Sequence, residues 1–344
     1  MATERDITII GGGIAGLSLG IALLSRGLQV RLHEAFRYPR HRVCGEFISG
    51  VDGKTLERLG VDDLVADAKP LVSTGWYDSR GEILAASLPR AALGISRFRL
   101  DHRMAERFRE RGGRLEQGNR LRLRDLEGPG TVLCTGRPPR KESDWIGLKS
   151  HFQDLKLSKD LEMHLGENGY LGMSGIEDGR VNVCGLFKKR NDISARKGET
   201  LVRYIRAVGL GGLADRLEAA DPDPSSSLGV SAFSFGYQLE RDCPHLRLGD
   251  RGAIIPPFTG NGMSMAFESA EMAIAPLVEY ARGDRSWSEA RDQCERRLRR
   301  RFRRRLAVSR LFHPVMDHQA SRSLVRGASS AGLLPFGWLY RSTR

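Results

Sequence analysis

The run Gly11-Gly12-Gly13-Ile14-Ala15-Gly16 constrains this chain most, because it follows the β-branched stretch Asp6 to Ile10 and opens a small-residue segment, Ile14 to Arg26, of helical composition. It fits G-x-G-x-x-G. In that spacing the first glycine makes a tight turn, the second lets backbone approach a pyrophosphate, and the third lets the helix pack on the strand. The helix N-terminus then offers free N–H groups and a favourable dipole to an anion. An alternating run, Leu28 to Glu34, completes a β-α-β unit, and Glu34 follows Gly11 by 23 residues. A carboxylate there can accept hydrogen bonds from ribose hydroxyls. The spacing predicts a dinucleotide site at Gly11, Gly13, Ile14, Ala15, Gly16, Glu34 and Ala35, and does not separate FAD from NAD.

A second pattern lies more than 200 residues away: Leu246-Arg247-Leu248-Gly249-Asp250, then Pro256-Pro257-Phe258-Thr259-Gly260-Asn261-Gly262-Met263. A strand ending in Gly-Asp presents a carboxylate to a polyol, and the Pro/Gly loop opens another helix with free N–H groups. The same residues also suit an ordinary strand-loop-helix link.

Between these patterns, Leu71 to Leu88 reads as a hairpin around Asp78-Ser79-Arg80-Gly81. A helix is expected over Leu100 to Arg111. Three strands are expected within 160–187, separated by Glu167-Asn168-Gly169 and Glu177-Asp178-Gly179. A helix follows over Glu199 to Ala219, then a loop over Asp221 to Ser227 and a strand near Val230 to Leu239. The chain ends in helices, Gly262 to Ala281 and Ser286 to Phe312.

The formal charge of +13 would suggest an anionic partner. It is concentrated, however: residues 291–310 hold ten arginines against Asp292 and Glu295. Leu298, Phe302 and Leu306 recur every four residues in this run, so the arginines occupy the other helix faces. Two readings stay open, a solvated helix face and an anionic surface. Nucleic acid is not expected; the second reading would bring this helix into peripheral contact with a membrane. The five cysteines are scattered without C-x-x-C spacing, which suits reduced thiols in the cytoplasm. The start of the chain lacks the basic region of a signal peptide.

The paired motifs resemble the FAD-dependent oxidoreductases of the para-hydroxybenzoate hydroxylase and geranylgeranyl reductase group. The resemblance implies that the N-terminal turn binds the ADP moiety, that Asp250 meets the ribityl chain, and that Pro257, Gly260 and Gly262 match a P-x-x-G-x-G loop, with Asn261 and Met263, against the flavin. Pro39-Arg40-His41-Arg42-Val43-Cys44-Gly45-Glu46 is similar to the P-R-x-K-x-C-G-E stretch of the reductase branch, with Arg42 in place of lysine. Gly94-Ile95-Ser96-Arg97, followed by Leu100-Asp101, is similar to the segment whose arginine approaches the cofactor. Arg42 and Arg97 are accordingly cofactor candidates; Cys44 and Glu46 are catalytic ones, although a free cysteine is commonly a small buried hydrophobe.

One segment departs from the group. Hydroxylases carry Asp-Gly after the strand that here reads Thr131-Val132-Leu133-Cys134-Thr135-Gly136. NAD(P)H is the expected electron donor, but threonine before this glycine leaves another donor open. The halogenase motif W-x-W-x-I-P is not supplied by Trp145-Ile146-Gly147.

The expected fold is α/β: a Rossmann-like FAD-binding domain (1–69, 94–144 and 241–285), an inserted mixed or antiparallel β-sheet substrate domain (70–93 and 145–240) and a C-terminal helical region (286–344). The expected activity is hydroxylation or double-bond reduction of a hydrophobic, polyketide- or isoprenoid-like small molecule, with Trp76, Tyr77, Tyr170, Phe233 and Phe235 lining a cavity or packing a core. Rivals are a redox-neutral, cyclase-like flavin enzyme and a basic binding protein with a vestigial flavin site.

Overall fold

The computed structural model describes residues 5–122, 126, 128–137, 144–194, 198–231, 236–237, 243–256, 260–317, 319–334 and 336–343. The chain opens with β1 (Ile7–Ile10), α1 (Ile14–Leu24) and β2 (Val30–Glu34). Helix α1 is apolar all round, so it belongs inside the protein; its one polar side chain, Ser18, donates to the Ile14 carbonyl at 2.6 Å. Next come β3 (Phe47–Ile48) and α2 (Gly53–Leu59), then the hairpin strands β4 (Lys69–Asp78) and β5 (Gly81–Gly94). The Arg80 N–H donates to the Asp78 side chain at 2.8 Å and tightens the hairpin turn.

Helix α3 (Arg97–Glu110) starts three residues earlier than its apolar pattern suggests, because Ser96 caps it by accepting from the Arg99 N–H at 3.1 Å. Strands β6 (Arg114–Gln117), β7 (Thr131–Leu133) and β8 (Trp145–Gln153) follow, then β9 (Leu161–Gly166), β10 (Gly169–Gly175) and β11 (Val181–Lys188) at the three expected positions. The helix expected over Glu199 to Ala219 is two, α4 (Thr200–Ala207) and α5 (Gly211–Glu218), broken where Gly209 takes φ +84°.

Asp221 to Ser227 forms a strand where a loop was expected. It belongs to β12 (Asp221–Ser231), which tolerates Pro222 and Pro224 because it is an edge strand, with an irregular register between Asp223 and Leu228. The remainder is β13 (Gly236–Tyr237), β14 (Leu246–Arg247), β15 (Ala253–Ile254), α6 (Gly262–Arg282), α7 (Trp287–Asp317), α8 (Gln319–Ser330) and α9 (Phe336–Ser342). Much of the strand expected near Val230 to Leu239, including Phe233 and Phe235, falls outside the described residues.

Two sheets organise the molecule. The first is wholly parallel in the order β14-β7-β1-β2-β6, and α1 packs between it and α3 and α6. The second has eight strands, β12-β8-β11-β10-β9-β4-β5-β3, antiparallel except where β4 meets β9. Strand β3, inside the span 1–69, pairs in this larger sheet with β5. One face of the large sheet buries Leu148, Phe152, Leu171, Met173, Val183 and Phe187 under α4 and α5. Side chains alternate along a strand, so residues between these positions point the other way, toward residues 44–46 and α8.

Candidate flavin site

The glycine turn is sterically obligatory. Gly11 takes φ +106°, and a Cβ there would stand 2.3 Å from the Cys134 carbonyl oxygen; a Cβ at Gly16 would stand 2.0 Å from the Gly11 carbonyl. The turn thereby presses α1 against the end of β7. Gly13, the N-cap of α1, supplies no side-chain cap, and the first turn, with Ile14 and Ala15, holds no acid. Those N–H groups could meet an anion without competition from a side-chain cap.

Glu34 braces the turn from β2, accepting from the Gly12 N–H at 2.7 Å and the Phe36 N–H at 3.0 Å. The Tyr38 hydroxyl donates to the Gly12 carbonyl, and Arg42 lies 3.6 Å from Glu34. Ala35, the next residue, is partly exposed.

The distant motif arrives at this turn. Gly249, at φ +57°, leaves only 3.1 Å between an imagined Cβ and the Ala15 Cβ, and its N–H donates to Ser269 at 3.1 Å. Burial pushes the adjacent Asp250 carboxyl above its ordinary range, with Arg137 and Arg97 pulling it back.

Arg97 grips Asp101 through two bonds of 2.7 and 2.9 Å, and Arg42 holds the same carboxylate at 2.8 Å. Burial works against the Arg97 charge, but Asp101 and Cys44 outweigh it and raise its pKa. The Arg97 guanidinium also comes within 3.8 Å of where a Gly13 Cβ would be, so it borders the mouth of α1.

At the other side, Gly260 (φ +65°) abuts Phe47, whose ring a Cβ would meet at 2.3 Å. Asn261 is buried and donates to the Thr343 carbonyl; its Oδ1 has no partner among the described residues. Gly262 and the buried Met263 open α6, whose first turn is free of acids. Pro257, with Phe258 and Thr259, lies outside the described residues.

The large sheet holds Cys44-Gly45-Glu46 from beneath. His151, Asn182 and Ser174 stand in one cross-strand row of β8, β11 and β10, and Lys149 and Cys184 in the next. Ser174 donates to the Gly45 carbonyl at 2.8 Å and Asn182 to the Cys44 carbonyl at 3.0 Å. Lys149 donates to Glu46 at 3.0 Å, and His151 Nε2 lies 2.6 Å from its other oxygen. The Arg97 N–H adds a bond of 3.0 Å. Burial alone would raise the Glu46 carboxyl, but Lys149 and His151 hold it below the usual range. Glu46 is therefore a fixed anion, not a proton donor at neutral pH. Cys44 is the reverse: burial pushes its thiol up despite Arg97, so it stays protonated.

Tyr38, Lys149, His151 and Asn182 did not stand out in the sequence. The signal for two of them is the alternation in Trp145–Gln153, where Lys149 and His151 interleave with Leu148 and Phe152. Trp76 and Tyr170 lie further along the same sheet face, in an apolar cluster with Leu165, Leu186 and Val325 of α8; Tyr77 stacks on His164 at 5.0 Å.

The groups present fit FAD: an uncapped glycine-flanked helix end that donates N–H bonds to a pyrophosphate, a carboxylate at Asp250 that accepts from a polyol, and buried acceptors at Asn261 Oδ1 and Asn182 Oδ1 that have no partner among the described residues.

No protein-family model matches the chain. A segment of 76 residues, 22% of this chain and 16% of the other, is 33% identical to squalene epoxidase erg1 of Aspergillus fumigatus, so the match spans only a small part of that protein. Solved structures match over nearly the whole length. Klebsiella pneumoniae HpxO, complexed with FAD and uric acid, superposes with a TM-score of 0.76 at 18% identity, covering 98% of this chain and 97% of that one. Pseudomonas aeruginosa PqsL, in complex with 2-aminobenzoylacetate, gives 0.73 at 15% identity, covering 93% and 98%. The flavin-dependent brominase Bmp2 gives 0.73 at 16%, covering 98% and 96%. At such identities it is the architecture that is shared, and this chain has the fold of the FAD-dependent oxidoreductases of the para-hydroxybenzoate hydroxylase-like group.

Proposed function

We propose that the protein is an FAD-dependent monooxygenase acting on a hydrophobic small molecule. The observation that carries this reading is the meeting of Gly249-Asp250 with Ala15, which brings motifs more than 200 residues apart around the uncapped end of α1. HpxO, solved with FAD, shares the architecture, and PqsL is described as a probable FAD-dependent monooxygenase.

Bound FAD supplies hydride acceptance and the subsequent activation of oxygen. The N–H groups of Gly13 to Ala15 hold the pyrophosphate, and Asp250 accepts hydrogen bonds from the ribityl hydroxyls. Arg97, charged at every physiological pH, offsets phosphate charge at the mouth of α1. Glu46, clamped by Lys149 and His151, fixes the Cys44-Gly45 backbone and acts as a positioning residue. Cys44 carries a proton it can donate by hydrogen bond. The apolar face around Trp76 and Tyr170 favours a greasy substrate and excludes water beside the polar patch.

NAD(P)H, or a reduced partner in its place, supplies the electrons. The protonated thiol of Cys44 favours a second reading, reduction of a carbon–carbon double bond, in which a proton must follow the hydride. Titrating the protein with FAD and following absorbance tests the binding claim; a protein that stays colourless overturns both readings. Anaerobic reduction followed by oxygen then separates them: a transient absorbance before reoxidation supports the monooxygenase, and immediate featureless reoxidation supports the reductase.

A further inference from the structure

The three C-terminal helices share a construction that the flavin site does not use. Each is anchored by one face and presents a large apolar side chain on the other. In α7, Leu298, Phe302 and Leu306 are buried, and Arg305 reaches Glu268 at 2.9 Å. Leu311 comes nine residues after Phe302, half a turn around the helix at about 100° per residue, and is 74% exposed. In α8, the buried Arg322 donates to the Leu165 and Gly166 carbonyls at 3.0 and 2.7 Å, whereas Leu324 is 77% exposed. In α9, Tyr340 is buried with its hydroxyl 3.0 Å from Ser49, whereas Trp338 is 53% exposed. Leu333, between α8 and α9, is also strongly exposed, and both helices contact α7.

The same region carries unpaired positive charge. Arg296, Arg300, Arg303, Arg304 and Arg310 are exposed and have no acidic partner among the described residues. At helical spacing they form one stripe that ends at Leu311, roughly 22 Å long at a rise of about 1.5 Å per residue.

We infer that this stripe, with Leu311, Leu324, Leu333 and Trp338, is a docking surface for an anionic membrane. An arginine stripe ending at an exposed leucine, with further exposed leucine and tryptophan on the helices that contact it, is what an interfacial surface presents to lipid: the cations meet headgroups, and the apolar side chains enter the acyl boundary. Nucleic acid would occupy the arginines and leave the apolar side chains in water. A second copy would bring like charges together. No helix among the described residues is long and apolar enough to cross a membrane, so the contact lies along the surface. Because Thr343, just beyond α9, accepts from the buried Asn261, docking sets the Asn261 loop next to the lipid. The inference itself does not depend on the flavin reading.

The test is co-sedimentation of the full chain with phosphatidylglycerol–phosphatidylcholine vesicles and with phosphatidylcholine vesicles alone. Binding to the anionic vesicles that falls with added salt is expected, about fivefold weaker for each arginine of the stripe replaced by glutamine. The double variant Leu333→Ser/Trp338→Ala, altered only at exposed positions, is expected to bind several-fold more weakly with an unchanged melting temperature. Equal binding to the two vesicle types overturns the inference, as does no binding to either. Tighter binding to duplex DNA than to anionic vesicles, indifferent to Leu333→Ser/Trp338→Ala, overturns it in favour of nucleic acid.

Discussion

Lys149 Nζ lies 3.0 Å from Glu46 Oε1, and both side chains are wholly shielded from solvent. His151 takes the other carboxylate oxygen at 2.6 Å, so the loop before β3 is tied to β8 by charge-assisted bonds. Breaking a buried pair from one side leaves an uncompensated charge. Lys149→Met is therefore expected to destabilise the protein by about 3–5 kcal/mol. The double variant Glu46→Gln/Lys149→Met should recover most of that loss, because neither partner then carries a stranded charge. Urea unfolding of the three proteins measures it, and a double variant as unstable as the single one would contradict the pairing.

The same cluster sets a pH dependence. His41 lies 3.4 Å from Lys149, stacks on Phe98 at 4.5 Å and meets His151 edge-on at 5.2 Å. Burial, then the charge of Lys149, lowers its pKa from 6.5 to about 4. Between those values the unfolded chain takes up a proton that the folded protein refuses, so stability falls as pH falls through this window. Glu46, also depressed, adds to the loss below its ordinary value of 4.5. His41→Gln should flatten the upper part of the profile, from 6.5 toward 4, and leave the lower part. Denaturation midpoints across that range decide it; identical slopes in both proteins would refute the assignment.

Why the glycine turn was legible and this cluster was not follows from what each asks of the chain. Gly11 and Gly16 answer steric demands that hold wherever the turn occurs, since a Cβ at either would stand 2.3 and 2.0 Å from backbone oxygens. The Gly249-Asp250 pattern was visible too, but its contact with Ala15 depends on β14 joining the far side of β7, a pairing no local pattern encodes. Lys149 and His151 alternate with apolar residues, which in an isolated strand marks a solvent face. Here residues 41–46 cover that face, and the charges are buried by tertiary packing. The prolines of β12 misled for a related reason: an edge strand needs fewer ladder donors than a central one.

Asp250 makes a prediction with two opposite signs. Burial penalises its charged form, raising its pKa, so Asp250→Asn removes that penalty and should slightly stabilise the protein without FAD at neutral pH. A hydrogen bond from a ligand hydroxyl to a carboxylate contributes about 1.5–3 kcal/mol, so the variant should bind FAD roughly 10- to 100-fold more weakly. Melting temperature without cofactor and a fluorescence titration with FAD read the two effects separately. A variant that loses stability and keeps its affinity would show that Asp250 serves the fold and not the ribityl chain.

Two glycines separate a steric requirement from a conformational one. A Cβ at Gly16 would lie 2.0 Å from the Gly11 carbonyl oxygen, a backbone atom that cannot rotate away, so Gly16→Ala must push α1 off the turn. The expected cost is about 1–3 kcal/mol of stability, together with loss of FAD binding, since the displaced N–H groups are those proposed to hold the pyrophosphate. Gly27, just beyond α1, has φ +83° and nothing within 4 Å of a Cβ. Gly27→Ala carries only the strain of a left-handed residue, about 1–2 kcal/mol, and should bind FAD like the parent protein. Matched unfolding and FAD titrations on the two variants make the comparison. If both lose stability but neither loses FAD, the end of α1 is not where the cofactor's phosphates bind.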